Sequence, residues 1–95
     1  MNPVRDTLGK FCYVYVISNP NDLWYTGSTK DLRKRLSQHE TGKSTYTEHR
    51  GPWELIYYEA CRNEEDARSR ELFLKSGMGK RYIRNRLKRF LSLTG

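Results

Sequence analysis

Residues 11–18, Phe-Cys-Tyr-Val-Tyr-Val-Ile-Ser, constrain this chain more than any other segment. They are dense in β-branched and aromatic side chains, which suit a pleated backbone. Tyr13, Tyr15 and Ile17 alternate with Cys12, Val14 and Val16, so both faces of the strand are apolar and uncharged. A strand of that kind belongs at the centre of a sheet with cover on both sides.

The rest of the chain can be read outward from this strand. Asn19-Pro20-Asn21-Asp22 is a turn cluster, and residues 23–26 read as a second short strand. The hairpin brings Tyr15 near Tyr25. Gly27-Ser28-Thr29 reads as a break, after which Ser28 or Thr29 caps a helix to about residue 40, with Asp31 in its first turn and Gly42 just beyond. Leu32 and Leu36 form its inward face. Residues 41–52 are polar and read as a loop, and residues 53–59 read as a third strand. Asn63 caps a second helix whose first turn holds Glu64, Glu65 and Asp66, favourable at the positive end of the helix dipole. Gly77 and Gly79 are expected to end it. A third helix, about residues 80–91, carries Ile83, Leu87, Phe90 and Leu91 on one stripe and Arg81, Arg84, Lys88 and Arg89 elsewhere. The order is β-β-α-β-α-α, and 95 residues leave room for one core. The expected fold is α+β, a three-stranded, mainly antiparallel sheet with helices packed around it. The domain is expected over residues 11–91, between a loose lead-in (1–10) and a short tail (92–95).

Eighteen Lys and Arg against eleven Asp and Glu give a formal charge of +7. A field of that sign attracts polyanions, whether nucleic acid or an anionic membrane. No segment approaches the ~20 apolar residues needed to span a bilayer, and the first residues lack an apolar run of signal-peptide kind. A membrane partner is therefore not expected. Cys12 and Cys61 are too few and too far apart for a four-ligand zinc site. Both lie in apolar runs and read as buried, reduced thiols of a cytoplasmic protein.

The second helix contains an anomaly. At about 100° per residue, Ala67, Glu71, Leu74 and Met78 share a stripe, so Glu71 points the way its apolar neighbours do. A carboxylate facing a core must be paired, hydrogen-bonded or bound to a metal. Glu71 has three possible ion partners in Arg35, Arg68 and Lys75. On the first helix Arg35 and His39 are four apart and share a face.

Spacing joins these residues. Tyr13-Val14-Tyr15 precedes Tyr25-Thr26-Gly27 by ten residues, tyrosine to tyrosine, and Arg35 and His39 follow Tyr25 by ten and fourteen. Then come Gly42-Lys43-Ser44, the strand Pro52-Trp53-x-Leu55-x-Tyr57-Tyr58, and Arg70-Glu71-x-x-x-Lys75. Over about residues 12–91 this combination resembles the GIY-YIG nuclease family. It looks closest to the short single-domain branch, which is similar to the N-terminal nuclease domain of the bacterial excision-repair incision subunit. Tyr13 stands where the motif has glycine and Thr26 where it has isoleucine; both suit a strand. Ser28 stands where the excision-repair relatives carry a lysine, a role for which Arg33, Lys34 and Lys43 are the candidate substitutes.

The resemblance implies a metal-dependent DNA endonuclease of low sequence specificity, or selective for DNA structure, in DNA repair or processing. Glu71 would be the only protein ligand of one Mg²⁺ or Mn²⁺, and Arg35 would grip the scissile phosphate. Tyr15 or Tyr25 would act on the attacking water, with a slight preference for Tyr25 and with Tyr15 positioning water or phosphate. His39 would hydrogen-bond a tyrosine hydroxyl, and Gly27 would let the backbone turn tightly beside the site. Arg35, Lys43 and Lys75 are the expected nucleic-acid contacts. The expected partners are DNA, with RNA also open, and a protein that supplies the target; no small-molecule cofactor is expected. The alternative is a GIY-YIG fold that binds DNA or RNA without cutting.

Overall fold

The apolar run becomes β1 (Cys12–Ser18), the middle of a three-stranded antiparallel sheet. This computed structural model describes residues 8–44 and 46–94. A single 3-10 turn, Leu8–Lys10, leads into β1, which is followed by β2 (Trp24–Thr29), α1 (Leu32–Glu40), β3 (Glu54–Cys61), α2 (Glu64–Lys75), α3 (Gly77–Arg86) and α4 (Lys88–Thr94). The strand order is β2-β1-β3, so β1 pairs on both edges and β2 is an edge strand.

The two faces of β1 serve two cores. Cys12 and Val14 pack with Ala67, Leu74 and Ile83 from α2 and α3. On the other face Tyr15 and Ile17 pack with Trp53, joined by Tyr25, Leu32, Leu36 and Leu55. The sheet is thus covered on both sides, as a strand apolar on both faces demands. In register, Tyr15 lies opposite Gly27 on β2 and Tyr58 on β3; the β1–β3 pairing slips once, between Val16 and Ile17. Asn19 closes the β1–β2 hairpin, its side-chain oxygen accepting from the N–H groups of Asn21 at 3.0 Å and Leu23 at 2.8 Å.

Several boundaries differ from the expectation. Gly27-Ser28-Thr29 does not break β2, because each of these residues pairs with β1, opposite Tyr15, Val14 and Tyr13. Neither Ser28 nor Thr29 caps α1; Asp31 does, accepting from Lys34 N–H at 3.0 Å. Thr29 instead accepts from Asp31 N–H at 3.1 Å and shapes the approach. Gly42 follows the end of α1 with φ +75, the left-handed conformation expected there. Asn63 caps α2 as anticipated, accepting from Glu65 and Asp66 N–H.

Gly77 and Gly79 do not terminate α2. Ser76 does, and its hydroxyl oxygen then caps α3 by accepting from Gly79 N–H at 3.1 Å. Gly79 lies in the first turn of α3, pressed against the backbone of Phe73 and Leu74, where a side chain has no space. This early break takes Met78 off the inward stripe of α2, and it is 68% exposed. The single third helix expected over 80–91 is two helices meeting at Leu87, and α4 continues to Thr94. Ile83 is buried as expected.

A bidentate pair ties β3 to α2. Arg70 Nε and Nη2 donate to the Glu59 carboxylate at 2.9 Å each, and Tyr57 donates its phenol proton to the same group at 2.8 Å. Burial works against the Glu59 charge, but the Arg70 and Tyr57 bonds outweigh it and hold the carboxyl below its usual range. Cys12 and Cys61 are both free thiols and face each other in register; Cys12 is buried and Cys61 partly so.

Candidate active site

Gly27 sits at the centre of the candidate site. A Cβ there would lie 2.6 Å from the Tyr15 hydroxyl and 3.1 Å from the Tyr25 ring. Glycine is therefore required by close approach of two phenols to a straight strand, not by the tight turn expected of it. The Tyr15 ring occupies the space, fully buried, with its hydroxyl 2.7 Å from His39 Nε2. His39, in the last turn of α1, is also buried, and its Nδ1 lies 2.8 Å from Thr47 Oγ1. The Tyr25 ring stands 5.0 Å from the imidazole and 6.3 Å from the Tyr15 ring, with the tilted Tyr46 ring 5.4 Å away.

Arg35 lies one helical turn before His39 and is half-buried. It donates to Gln38 Oε1 at 2.9 Å and reaches Ser44 Oγ at 3.5 Å. Burial opposes its charge, yet the phenols of Tyr15 and Tyr25 beside it carry the net shift upward. The same surroundings keep its neighbours neutral. Burial pushes the Tyr15 phenol up to about 12, against the pull of Arg35 and with help from the charges of Tyr25 and Glu71. Burial, followed by the Arg35 charge, lowers His39 to about 4. At neutral pH the Arg35 cation stands beside a neutral Tyr15 phenol and a neutral His39 imidazole in contact, with the less buried Tyr25 ring next to them.

Glu71 approaches from the other layer. A metal ligand working with Arg35 and the tyrosines implies a carboxylate turned toward them; instead Glu71 accepts from Ser28 Oγ at 2.6 Å, and its second oxygen pairs with Lys75 Nζ at 2.7 Å. Side chains alternate across a strand, so Ser28 presents the face opposite to Gly27. The carboxylate and the phenols therefore flank the same edge strand from its two sides. The Glu71 charge is nevertheless felt at Tyr15. Burial works against that charge, while Lys75, Ser28 and Arg68 hold the carboxyl below its usual range. Of the three ion partners open to Glu71, Lys75 is the one it meets.

Ser28, where relatives carry lysine, has become the hydrogen-bond partner of Glu71. The proposed substitutes Arg33, Lys34 and Lys43 are all exposed, whereas the ammonium beside Glu71 comes from Lys75, one turn along its own helix. Three residues escaped the sequence reading. Ser28 was noted only as a possible helix cap and for what it replaces, and Thr47 and Tyr46 lie in a loop whose sequence has no period to mark an inward side. Two grooves of about 660 and 670 Å³ are lined by none of the five candidate catalytic residues.

The donor set indicates what cation could be held. Among the described residues no three His, Cys, Asp or Glu side chains converge as a metal site. One ionised carboxylate, its side chain 18% exposed, fits a hard cation that keeps most of its waters, such as Mg²⁺. It does not fit zinc, which takes three or four protein ligands. A cation there has to displace the Lys75 ammonium.

This architecture is a small sheet with a polar cluster straddling its edge strand. Residues 11–87 match the family model described as the GIY-YIG catalytic domain, and the chain belongs to that family. It is 41% identical over 64 residues to the UPF0213 protein CPE1444 of Clostridium perfringens (strain 13 / Type A), covering 66% of this chain and 69% of that one. It is 43% identical over 67 residues to the UPF0213 protein SpyM50708 of Streptococcus pyogenes serotype M5 (strain Manfredo), covering 70% and 73%. The solution NMR structure of the UPF0213 protein BH0048 from Bacillus halodurans is 33% identical, with 90% of this chain and 86% of that one covered at a TM-score of 0.46. The expected kinship with short, single-domain members is thus borne out, and the departures at Tyr13 and Thr26 do not remove the chain from the family.

Proposed function

We propose that this protein is a metal-dependent DNA endonuclease. The observation that carries the reading is the buried Tyr15–His39 pair set against Gly27, with Arg35 and Tyr25 beside it and the Glu71 carboxylate of α2 bonded to the next residue of that strand, Ser28.

Hydrolysis of a phosphodiester needs an activated water, charge on the phosphoryl oxygens and help for the leaving oxygen. Arg35 offers a planar fork to the scissile phosphate. Tyr25, the less buried phenol, acts on the attacking water. Tyr15, raised to about 12 and bonded to His39, keeps its proton and positions its neighbours. Glu71 is the protein ligand of the cation; catalytic domains of this family are in general divalent-metal dependent. When bound, Mg²⁺ or Mn²⁺ supplies positive charge to the phosphoryl and leaving oxygens. Lys43 and Lys75, exposed near the site, serve flanking phosphates, and the +7 charge draws the polymer in. The expected contacts are charges that meet phosphates, so we infer cleavage of low sequence specificity or selective for DNA structure, in repair or processing in the cytoplasm, with any target choice left to a partner protein.

The test is nicking of plasmid, branched and single-stranded DNA by purified protein with Mg²⁺ or Mn²⁺. Glu71→Gln should abolish cleavage and leave DNA affinity within about threefold, because phosphate contacts elsewhere supply the binding. Equal loss of both would make Glu71 a structural tie between α2 and β2. The occupation of Glu71 by Lys75 favours one rival, a domain that binds DNA or RNA without cutting. Salt-dependent binding, no turnover by the wild type and no effect of Glu71→Gln would establish that rival.

A further inference from the structure

The hydrogen bonds of His39 form a line with two ends of fixed character. Tyr15 OH lies 2.7 Å from Nε2, Nδ1 lies 2.8 Å from Thr47 Oγ1, and Thr47 Oγ1 donates to the Ser44 carbonyl at 3.4 Å. Tyr15, His39, Ser44 and Thr47 are all buried. A carbonyl can only accept and a guanidinium can only donate. The Ser44 carbonyl stands at one end of the line, and Arg35 lies beside the Tyr15 oxygen at the other. If the Thr47 proton goes to Ser44, Thr47 must accept from Nδ1–H, and Nε2 must then accept from Tyr15. The reverse direction would aim the Tyr15 proton at the Arg35 cation and leave the Thr47 hydroxyl without its carbonyl.

We propose that Thr47 is a positioning residue: with the Ser44 carbonyl it fixes His39 as the Nδ1–H tautomer and makes Tyr15 a hydrogen-bond donor to Nε2. The Tyr15 oxygen then turns its lone pairs toward Arg35 and the strip of backbone at Gly27. Resting on the nuclease reading, this gives Tyr15 its part, an acceptor that orients Arg35 or the water rather than a base. The loop that carries Thr47 is also held by bonds that do not use its side chain. Trp53 Nε1 donates to the Thr47 carbonyl at 3.0 Å, and Glu48 N–H donates to the Ser44 carbonyl at 2.9 Å.

The tautomer can be read directly in the full chain by long-range ¹H–¹⁵N correlation of labelled imidazoles at neutral pH. The chain has two histidines, so a His49→Gln variant assigns the signals. The expected result is a single His39 tautomer with its proton on Nδ1. Thr47→Val, of nearly the same shape but lacking the hydroxyl, should give an Nε2–H population above about a tenth, and Thr47→Ser should restore the wild-type pattern. On DNA, Thr47→Val should lower kcat about tenfold or more with KM unchanged, again restored by Thr47→Ser. An Nε2–H signal in the wild type, or an unchanged Nδ1–H tautomer in Thr47→Val, would overturn the proposal. If Thr47→Val does not fold, the wild-type spectrum and Thr47→Ala decide it by the same criteria. Failure of the wild type to cleave DNA would sink the nuclease reading while leaving the tautomer measurement to stand or fall on its own.

Discussion

A methyl group at position 27 would press on the Tyr15 hydroxyl at 2.6 Å, and Tyr15 has no room to retreat because it is fully buried. Gly27→Ala should therefore separate Tyr15 from His39 and destabilise the fold by about 1–3 kcal/mol, as overpacked cores do. Denaturant unfolding measures the loss, and an unchanged midpoint would show that the ring moves freely. His39 makes a second prediction at this scale. Its unfolded pKa is near 6.5, and burial beside Arg35 lowers it to about 4, so the folded protein prefers the neutral ring. The stability tied to that preference is complete above pH ~6.5 and is lost as pH falls toward 4. About 2 kcal/mol should disappear between pH 7 and pH 5, read as the difference between wild type and His39→Gln in unfolding titrations. Parallel pH profiles for the two proteins would refute the assignment. Tyr15, Tyr25, Arg35 and His39 were legible through the spacing that carries the family resemblance, and the fold brings them to one side of the sheet. Ser28 and Thr47 were not, since each takes its role from a partner distant in the chain, Glu71 and His39. Gly27 was found, but for the wrong reason: a sequence shows that a side chain is missing and not what fills the space.

Among the elements, the junction between α2 and α3 shows how a single serine can outweigh two glycines. Glycine after an apolar stripe reads as a helix end, yet Ser76 closes α2 and opens α3 through its own oxygen. Its hydroxyl also donates to the Phe73 carbonyl at 2.6 Å. Ser76→Ala should cost about 1 kcal/mol, the usual worth of an N-cap, with the far-ultraviolet spectrum unchanged. A chevron or equilibrium unfolding curve identical to wild type would show that the junction is held by packing alone. β1 was legible almost to the residue, because two apolar faces admit one position in a sheet. The ends of β2, α2 and the third helix were not, because strand pairing and helix docking extend or interrupt what local propensity suggests.

Across the whole molecule, the two layers are unequal partners at the site. α1 brings the guanidinium and the imidazole, and α2 brings the carboxylate, one from each side of the sheet. Its place on the inward stripe of α2 leaves Glu71 a carboxylate in need of partners, but a helix stripe alone does not say which of them it will meet. Only the strand order β2-β1-β3, which leaves β2 at the rim, lets both layers address one strip of backbone. That strip is set by the hairpin bridging β1 and β2, which Asn19 pins through two backbone N–H groups. The turn is thus a gauge for chemistry it never touches. Sliding β2 by a single residue would bring the serine hydroxyl under the tyrosine ring and the bare glycine against the carboxylate, emptying both halves at one stroke.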